Sequence, residues 1–135
     1  MIRIAFAGQP NCGKSTLFNM MTGSHQHVAN YPGITVEKKT GDYVFEQNEV
    51  FITDLPGTYS LTSYSPEERV TRDFILNERP DAVVNVSDAS NLERHLYLTF
   101  QLLEMKRPLI MYVNKLDAAQ AAGLRIDADA LSNEL

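Results

Sequence analysis

The sequence predicts one α/β domain, residues 1–135, with a mainly parallel sheet, helices on both faces and one antiparallel hairpin at an edge of the sheet. Two observations predict this fold. Short apolar stretches rich in β-forming residues alternate with stretches whose apolar residues recur at helical spacing. Polar residues that suit ligand binding directly follow several of the predicted strands, for example Gly8, Asp54 and Asn114. Ligands bind outside the carboxyl ends of the strands in such sheets, so these residues are expected to lie together at that end of the sheet.

The predicted strands are residues 2–7, 35–45, 50–53, 81–86 and 108–113. The second and third of these strands are expected to form the antiparallel hairpin, with a bulge or kink at Gly41. Residues 25–33, which precede the hairpin, are polar and are expected to form a loop.

Three helices are expected between these strands. The first begins after the glycine-rich stretch that follows the first strand, at residues 16–21. The second begins at Pro66, where Ser65 and Glu68 have the spacing of a capping box. The third carries apolar residues at helical spacing from Leu92 to Leu103, and this stripe is expected to lie in the core.

Composition limits the classes of protein to which this chain can belong. The chain has 135 residues, 44% of them hydrophobic, with a formal net charge of -5 and one cysteine. The acidic balance argues against a general nucleic-acid-binding surface. No apolar run approaches the roughly 20 residues of a membrane helix, and no secretion signal precedes the first strand. A single cysteine excludes an internal disulfide and suits the cytoplasm.

Residues 8–15, GQPNCGKS, fit the phosphate-binding pattern of Gly, four free positions, Gly, Lys, then Ser or Thr. They stand between a predicted strand and a predicted helix, which is the context that this motif requires. Lys14 would supply positive charge to the β- and γ-phosphates, and the Ser15 hydroxyl is placed to bind Mg²⁺. A P-loop nucleoside triphosphatase is therefore predicted. The loop residues expected to contact the nucleotide are Gly8, Asn11, Cys12, Gly13, Lys14, Ser15 and Thr16.

Two further positions are predicted to face the phosphates. Asp54, with Gly57 three residues on, directly follows a predicted strand. The carboxylate can hold a Mg²⁺-bound water, and the Gly57 N–H can point at the γ-phosphate. Thr35 lies between this motif and the phosphate loop, where its hydroxyl could bind Mg²⁺ and its N–H could sense the γ-phosphate.

The stretch Asn114-Lys115-Leu116-Asp117 predicts guanine as the base. The Asp117 carboxylate can accept from both N1–H and the 2-amino group of guanine, whereas adenine offers neither donor. Asn114 can brace the phosphate loop, and the stem of Lys115 can lie over the base. The predicted ligands are therefore GTP or GDP with Mg²⁺.

Thr58 occupies the position after Gly57 where many GTPases carry a water-orienting glutamine. Another group must then stabilise the transition state, and the amide oxygen of Asn11 is a candidate ligand for a K⁺ ion between the β- and γ-phosphates. The alternative is that Asn11 only tolerates a left-handed loop backbone. Arg69 or Arg72 acting as an internal arginine finger is the other candidate.

The motifs together resemble the small GTP-binding domains of the translation-factor-related class, and within it the ferrous iron transport protein B family. The stretches that carry the closer resemblance are GQPNCGKSTLFN (residues 8–19), NYPGITVEKK (30–39), DLPGTYSL (54–61) and DASNLER (88–94). The family more often carries Met where Lys115 stands.

The resemblance implies the cytoplasmic G domain of a bacterial or archaeal inner-membrane Fe²⁺ transporter, with helical and transmembrane domains of its own downstream and possible homo-oligomers. It implies catalytic roles for Asn11, Lys14, Thr35 and Gly57, with K⁺ assistance through Asn11. It also implies that the last strand and helix of a complete G domain, with the fifth guanine-contacting motif, lie beyond residue 135. Two alternatives remain open at this point: a ribosome- or RNA-assembly GTPase, and a nucleotide sensor that does not hydrolyse.

Overall fold

A mixed sheet of six strands forms the centre of the computed structural model, which describes residues 1–62 and 64–115. The strands are β1 Ile2–Gly8, β2 Gln26–Asn30, β3 Glu37–Phe45, β4 Asn48–Asp54, β5 Ala82–Asp88 and β6 Leu109–Asn114. The helices are α1 Lys14–Thr22, α2 Pro66–Glu78 and α3 Leu92–Glu104, with a 3₁₀ turn at Ala89–Asn91.

The order of strands in the sheet is β2-β3-β4-β1-β5-β6. β1 is central and pairs in parallel with β4 on one side and β5 on the other, and β6 extends the parallel part beyond β5. β3 runs antiparallel to both β4 and β2. The predicted mainly parallel sheet with an antiparallel edge is confirmed.

Helices cover both faces of the sheet, because successive side chains of β1 point to opposite sides. Ala5 and Ala7 belong to the buried cluster that includes Ile75 of α2 and Leu98 of α3. Phe6 points the other way and meets Phe18 of α1 edge to face, with ring centroids 6.4 Å apart. The helices on both faces are therefore confirmed as predicted.

Two expectations about the edge of the sheet are wrong. Residues 25–33 do not form one loop, because β2 lies within them and pairs with β3 from Gln26↔Gly41 to Asn30↔Glu37. β3 has no bulge at Gly41, since its register with β4 continues through this residue without a break. A Cβ at Gly41 would lie 2.5 Å from the Thr22 side chain, so the glycine lets α1 pack closely against the strand.

α2 begins as predicted. Pro66 opens the helix, and the Glu68 N–H donates to the Ser65 hydroxyl at 3.2 Å. The Glu68 carboxylate accepts from the Thr62 hydroxyl at 2.7 Å and from the Tyr64 N–H at 3.3 Å. This carboxylate thus ties down the end of the preceding loop.

α3 buries a face that is shifted from the predicted stripe, of which Thr99 is buried and Leu92, Leu96 and Leu103 are half-buried. Leu98, Thr99 and Leu102 are buried, whereas Phe100 is 51% exposed. The rotation of the helix is set by polar contacts with β5, because the Thr99 hydroxyl donates to the side-chain oxygen of Asn85. Apolar periodicity alone does not reveal such a contact.

The turn between β3 and β4 has two central residues, Glu46 and Gln47, with φ angles of 48° and 70°. Both positive angles match a type I′ turn, whose twist suits a two-residue hairpin. This turn lies at the amino end of β4, opposite the edge where Asp54 ends the strand.

None of the helices within residues 1–62 and 64–115 has the length and apolar character needed to cross a membrane.

Candidate nucleotide-binding site

Four parallel strands end at the same edge of the sheet and bring polar residues together there. β1 ends at Gly8, β4 at Asp54, β5 at Asp88 and β6 at Asn114. The register aligns these ends, because Phe6 pairs with Asp54, and Asp88 pairs with Asn114. Three of these residues were predicted from their positions after strands. Asp88 was not among the predicted site residues, although the same reasoning applies to it.

The phosphate loop lies between β1 and α1 and contains two residues with left-handed backbone. Gly13, just before the helix, has φ 94° and Asn11 has φ 65°. α1 begins at Lys14, so the free N–H groups of its first turn point toward the loop. Such an arrangement is an anion-binding site.

Cys12 is 1% exposed within this loop. Burial raises the pKa of the Cys12 thiol, although Lys14 nearby acts in the opposite direction. A neutral thiol that packs in the interior does not contact a ligand directly through its side chain, so its contribution to the loop is its backbone.

A cavity of about 600 Å³ opens above the phosphate loop. Its lining residues are Gln9, Pro10, Asn11, Gly13, Lys14, Ser15, Thr16, Gly57 and Lys115. Most of the predicted contacts of the loop therefore converge on one space, together with Gly57 and Lys115 from distant segments. Thr35, Asp54 and Asn114 do not line it.

Lys14 and Asp54 form an ion pair at the floor of the site. Both side chains are almost fully buried, with exposed fractions of 8% and 3%. Lys14 lines the cavity, and Asp54 contacts its ammonium group from behind. A buried charge without a partner is costly, so each side chain serves as the counter-charge of the other.

The segment after Asp54 is fastened to β1. The Leu55 N–H donates to the Phe6 carbonyl and the Thr58 N–H to the Gly8 carbonyl, both at 3.0 Å. These bonds hold Gly57 against Pro10, where a Cβ on Gly57 would lie 3.1 Å from the Pro10 backbone. The Thr58 side chain is buried, so it does not face the cavity.

Thr35 lies in the exposed loop between β2 and β3, directly after a tight turn. The Ile34 N–H donates to the Tyr31 carbonyl at 3.3 Å, with Pro32 and Gly33 at the central positions and φ 77° at Gly33. This is the residue pattern of a type II turn. The Tyr31 N–H also donates to the Val36 carbonyl at 3.0 Å, so the segment around Thr35 is a closed hairpin loop.

The Tyr31 hydroxyl group is buried and, among the described residues, has no hydrogen-bond partner. Burial, with the negative charges of Asp54 and Glu78 nearby, raises the pKa of Tyr31 to about 12. The Lys38 ammonium lies 5.8 Å from the centre of the Tyr31 ring. The hydroxyl end of Tyr31, at the start of the loop that carries Thr35, thus lies in the interior.

Asn114 and Lys115 brace the phosphate loop. The Asn114 side-chain amide donates to the Cys12 carbonyl at 3.2 Å, as expected of a bracing residue. The Lys115 ammonium donates to the Asn11 carbonyl at 2.8 Å and to the Asp88 carboxylate at 3.3 Å. Asp117, the predicted guanine-binding carboxylate, lies outside the described residues.

The predicted site residues did not include Gln9 and Pro10, which line the cavity, or Asp88. Gln9 is buried, and its side-chain amide donates to the Arg94 carbonyl at 2.8 Å, which ties the phosphate loop to α3. Asp88 is 6% exposed and receives hydrogen bonds from Ser90. Burial raises the pKa of its carboxyl group, but the Ser90 hydrogen bonds and Lys115 outweigh burial and lower the pKa below its ordinary value.

The model of the family described as ferrous iron transport protein B matches residues 2–135. This chain belongs to the ferrous iron transport protein B (FeoB) family. The predicted family resemblance is confirmed.

Individual relatives agree with this membership. The chain is 50% identical over 133 residues to an Fe(2+) transport protein A/Fe(2+) transporter FeoB fusion protein of Porphyromonas gingivalis, covering 98% of this chain and 16% of the relative. It is similar to the G domain of the T. maritima FeoB iron transporter, with 42% identity, a TM-score of 0.92, and coverage of 100% of this chain and 82% of the other. An S. thermophilus NFeoB mutant bound to GDP has 48% identity and a TM-score of 0.92, with coverage of 100% and 53%.

The chain therefore spans about a sixth of the length of the fusion protein (16%). The fold of a FeoB G domain is shown over the described residues, and the predicted P-loop architecture is confirmed.

Proposed function

We propose that this chain is the GTP-binding and GTP-hydrolysing switch domain of a membrane Fe²⁺ transporter and works at the cytoplasmic face of the cell membrane. The observation that carries this proposal is the cavity of about 600 Å³ in which Lys14, Ser15 and Gly57 meet at the carboxyl edge of the sheet. Membership of the FeoB family and the similarity to a GDP-bound NFeoB structure support it. Its partners are then the helical and transmembrane domains of the same transporter.

The phosphates of the nucleotide fit the phosphate loop. The left-handed Gly13, the start of α1 and the Lys14 ammonium provide N–H donors and positive charge around one concave surface. Asn114 fixes the loop from the side of the base through its bond to the Cys12 carbonyl. The base itself is assigned to Asp117, whose carboxylate matches the two donors of guanine.

The residues at the floor also suit Mg²⁺, which prefers oxygen ligands and retains several waters. The Ser15 hydroxyl lines the cavity, and the Asp54 carboxylate lies directly behind Lys14. Ser15 would bind the ion directly, Asp54 through a water, and Thr35 from the hairpin loop. When bound, the ion supplies positive charge to the β- and γ-phosphates.

Hydrolysis breaks the bond between the γ-phosphorus and the oxygen that bridges it to the β-phosphate. A water oxygen forms the new bond to phosphorus, the water's protons end on the products and solvent, and GDP and phosphate leave. Lys14 neutralises the charge that develops on the phosphate oxygens, while the N–H groups of Gly57 and Thr35 orient the γ-phosphate. Thr58 is buried, so its side chain is not assigned a role in orienting the water.

Asn11 would hold a K⁺ ion, which would supply positive charge beside the phosphates. Asn11 lines the cavity, and its backbone is already fixed by the bond from Lys115 to its carbonyl. Its side-chain amide oxygen would be the ligand of the ion. A cation there would act where an arginine finger acts.

GTP hydrolysis in K⁺ and in Na⁺ at equal ionic strength tests this proposal. K⁺ should accelerate phosphate release, and Asn11→Ala should abolish the difference while GDP binding is retained. Asn11→Gly is the decisive second variant, because it removes the amide but suits φ 65° better than alanine does. If Asn11→Gly keeps the K⁺ effect, the role of Asn11 is limited to adopting the left-handed backbone of the loop. Asn48→Ala, at the amino end of β4 and away from the cavity, is the matched control.

The choice of base has its own test. Asp117→Asn should weaken GTP binding strongly and improve binding of xanthosine triphosphate, because an amide can donate to the 2-oxo group. Equal affinity of the unmodified chain for ATP and GTP would contradict the assignment of guanine.

A further inference from the structure

Lys115 connects two segments that are far apart in the sequence. Its ammonium donates to the Asn11 carbonyl in the phosphate loop at 2.8 Å and to an oxygen of Asp88, at the end of β5, at 3.3 Å. The Lys115 side chain is 41% exposed, and that of Asp88 is 9% exposed. One end of this link is therefore buried and fixed, while the other is a flexible side chain at the wall of the cavity.

The two carboxylate oxygens of Asp88 have different partners. Oδ1 accepts from the Ser90 N–H at 2.9 Å and from the Ser90 hydroxyl at 2.6 Å. Oδ2 accepts from Lys115. The Asp88 N–H donates to Nδ1 of His95 at 3.4 Å, which fixes the backbone at the same point. Local contacts thus hold the carboxylate in place, and one oxygen remains for the distant ammonium.

We propose that Asp88 is a positioning residue of the nucleotide site, which holds Lys115 so that its ammonium fixes the Asn11 carbonyl and the left-handed loop backbone. The inference rests on the proposed function, namely that the cavity binds a guanine nucleotide. A lysine side chain has many rotamers and loses this freedom when it bridges two groups. Because Asp88 is already fixed by Ser90, it restrains Lys115 without a further loss of its own freedom.

Asp88→Asn separates this role from that of a local cap. The asparagine oxygen can still accept from Ser90, but its NH₂ group replaces the oxygen that faces the ammonium. We expect a fluorescent GDP analogue to dissociate roughly fivefold faster from this variant, an effect between those of an exposed ion pair and a hydrogen bond to a charged group. Ser90→Ala removes the hydroxyl bond to the carboxylate but keeps the bond from the Ser90 N–H, so it should change the dissociation rate far less than Asp88→Asn does.

A double-mutant cycle with Lys115→Met decides whether Asp88 acts through Lys115. Methionine keeps an apolar stem and cannot donate to either oxygen. Asp88→Asn should therefore speed dissociation only while Lys115 is present and have no further effect in the Lys115→Met background. An equal effect in both backgrounds, or none in either, would overturn the proposal. If Asp88→Asn does not fold, Asp88→Ser takes its place, since serine can accept from Ser90 and carries no charge.

A spectroscopic measurement on the full chain separates this inference from the proposed function. The bond to the Asn11 carbonyl polarises the peptide that includes the Cys12 N–H. The amide resonance of Cys12 should move in the same direction in Asp88→Asn and Lys115→Met, and should stay in place in Ser90→Ala. A chain that fails to bind GDP but shows these shifts would disprove the proposed function alone; GDP binding with an unmoved Cys12 resonance in Asp88→Asn would disprove the role of Asp88.

Discussion

Replacing Gly13 by alanine should destabilise the chain through two separate effects. Gly13 has φ 94°, and a residue with a Cβ loses about 1–2 kcal/mol in the left-handed region. A Cβ built on Gly13 also lies 2.0 Å from the Asn114 side-chain nitrogen. Asn114 would have to move, and its bond to the Cys12 carbonyl would be lost at a cost of about 0.5–1.5 kcal/mol.

The sum is a loss of about 1.5–3.5 kcal/mol in the free energy of unfolding, which corresponds to a fall in Tm of roughly 5–20 °C for a chain of this size. Urea unfolding and thermal unfolding, both followed by circular dichroism, measure it. Gly33→Ala is the matched control. Gly33 has φ 77° but nothing within 4 Å of a built Cβ, so this variant should show the backbone effect alone.

The cost of the clash with the Asn114 side chain can be measured separately in a variant that lacks this side chain. In Asn114→Ala the side chain that obstructs the new Cβ is absent, so Gly13→Ala should cost no more than Gly33→Ala does. The reasoning is refuted if Gly13→Ala and Gly33→Ala cost the same in the native background, or if removing Asn114 leaves the cost of Gly13→Ala unchanged.

Three further predictions concern stability. Burial lowers the pKa of His95, and its neutral ring accepts a hydrogen bond from the Asp88 N–H. The stability that the neutral ring contributes is complete above the unfolded pKa of about 6.5 and is lost as the pH falls through the lowered pKa. The free energy of unfolding in urea should therefore be lower near pH 5 than near pH 7.5. Ser65→Ala should lower the free energy of unfolding by about 1 kcal/mol, because the Glu68 N–H at the start of α2 loses its acceptor. Phe18→Ala should cost about 3–5 kcal/mol in urea unfolding, because Phe18 is 1% exposed against Phe6.

Each of these has a control. A His95→Gln variant does not titrate in this range, so an undiminished pH dependence in that variant would show that other groups are responsible. Ser65→Asp should retain the cap, and equal losses in the alanine and aspartate variants would argue against capping. Met20→Ala, on the exposed side of α1, should cost far less than Phe18→Ala; similar costs would mean that α1 does not pack as described.

The strands that carry the site could be predicted from the sequence because they are apolar and end in ligand-type residues. β2 could not be, since four of its five residues are exposed and only the pairing with β3 makes it a strand. The turn just before Thr35 follows from Pro32 and Gly33, which determine its type locally. The closure of the loop by the bond from the Tyr31 N–H to the Val36 carbonyl depends on β2.

Most of the contacts that hold the phosphate loop could not be predicted from the sequence. Asn114 could be expected to brace the loop, because it belongs to a motif. The bond from Gln9 to the Arg94 carbonyl and the link from Lys115 to Asp88 join residues that are far apart in the sequence, and neither leaves a local pattern. The position of Asp88 at the end of a parallel strand was the one available indication.

The turn at Glu46 and Gln47 has a practical consequence for work on this chain. Both residues carry a Cβ in the left-handed region, which costs on the order of 1 kcal/mol each, while asparagine and glycine suit these positions of a type I′ turn. Glu46→Asn with Gln47→Gly should therefore raise the stability without altering the site, because the turn lies at the opposite edge of the sheet. In this more stable variant, destabilising substitutions in the phosphate loop that would unfold the native chain could be tolerated. Their effects on nucleotide binding could then be measured in a folded protein.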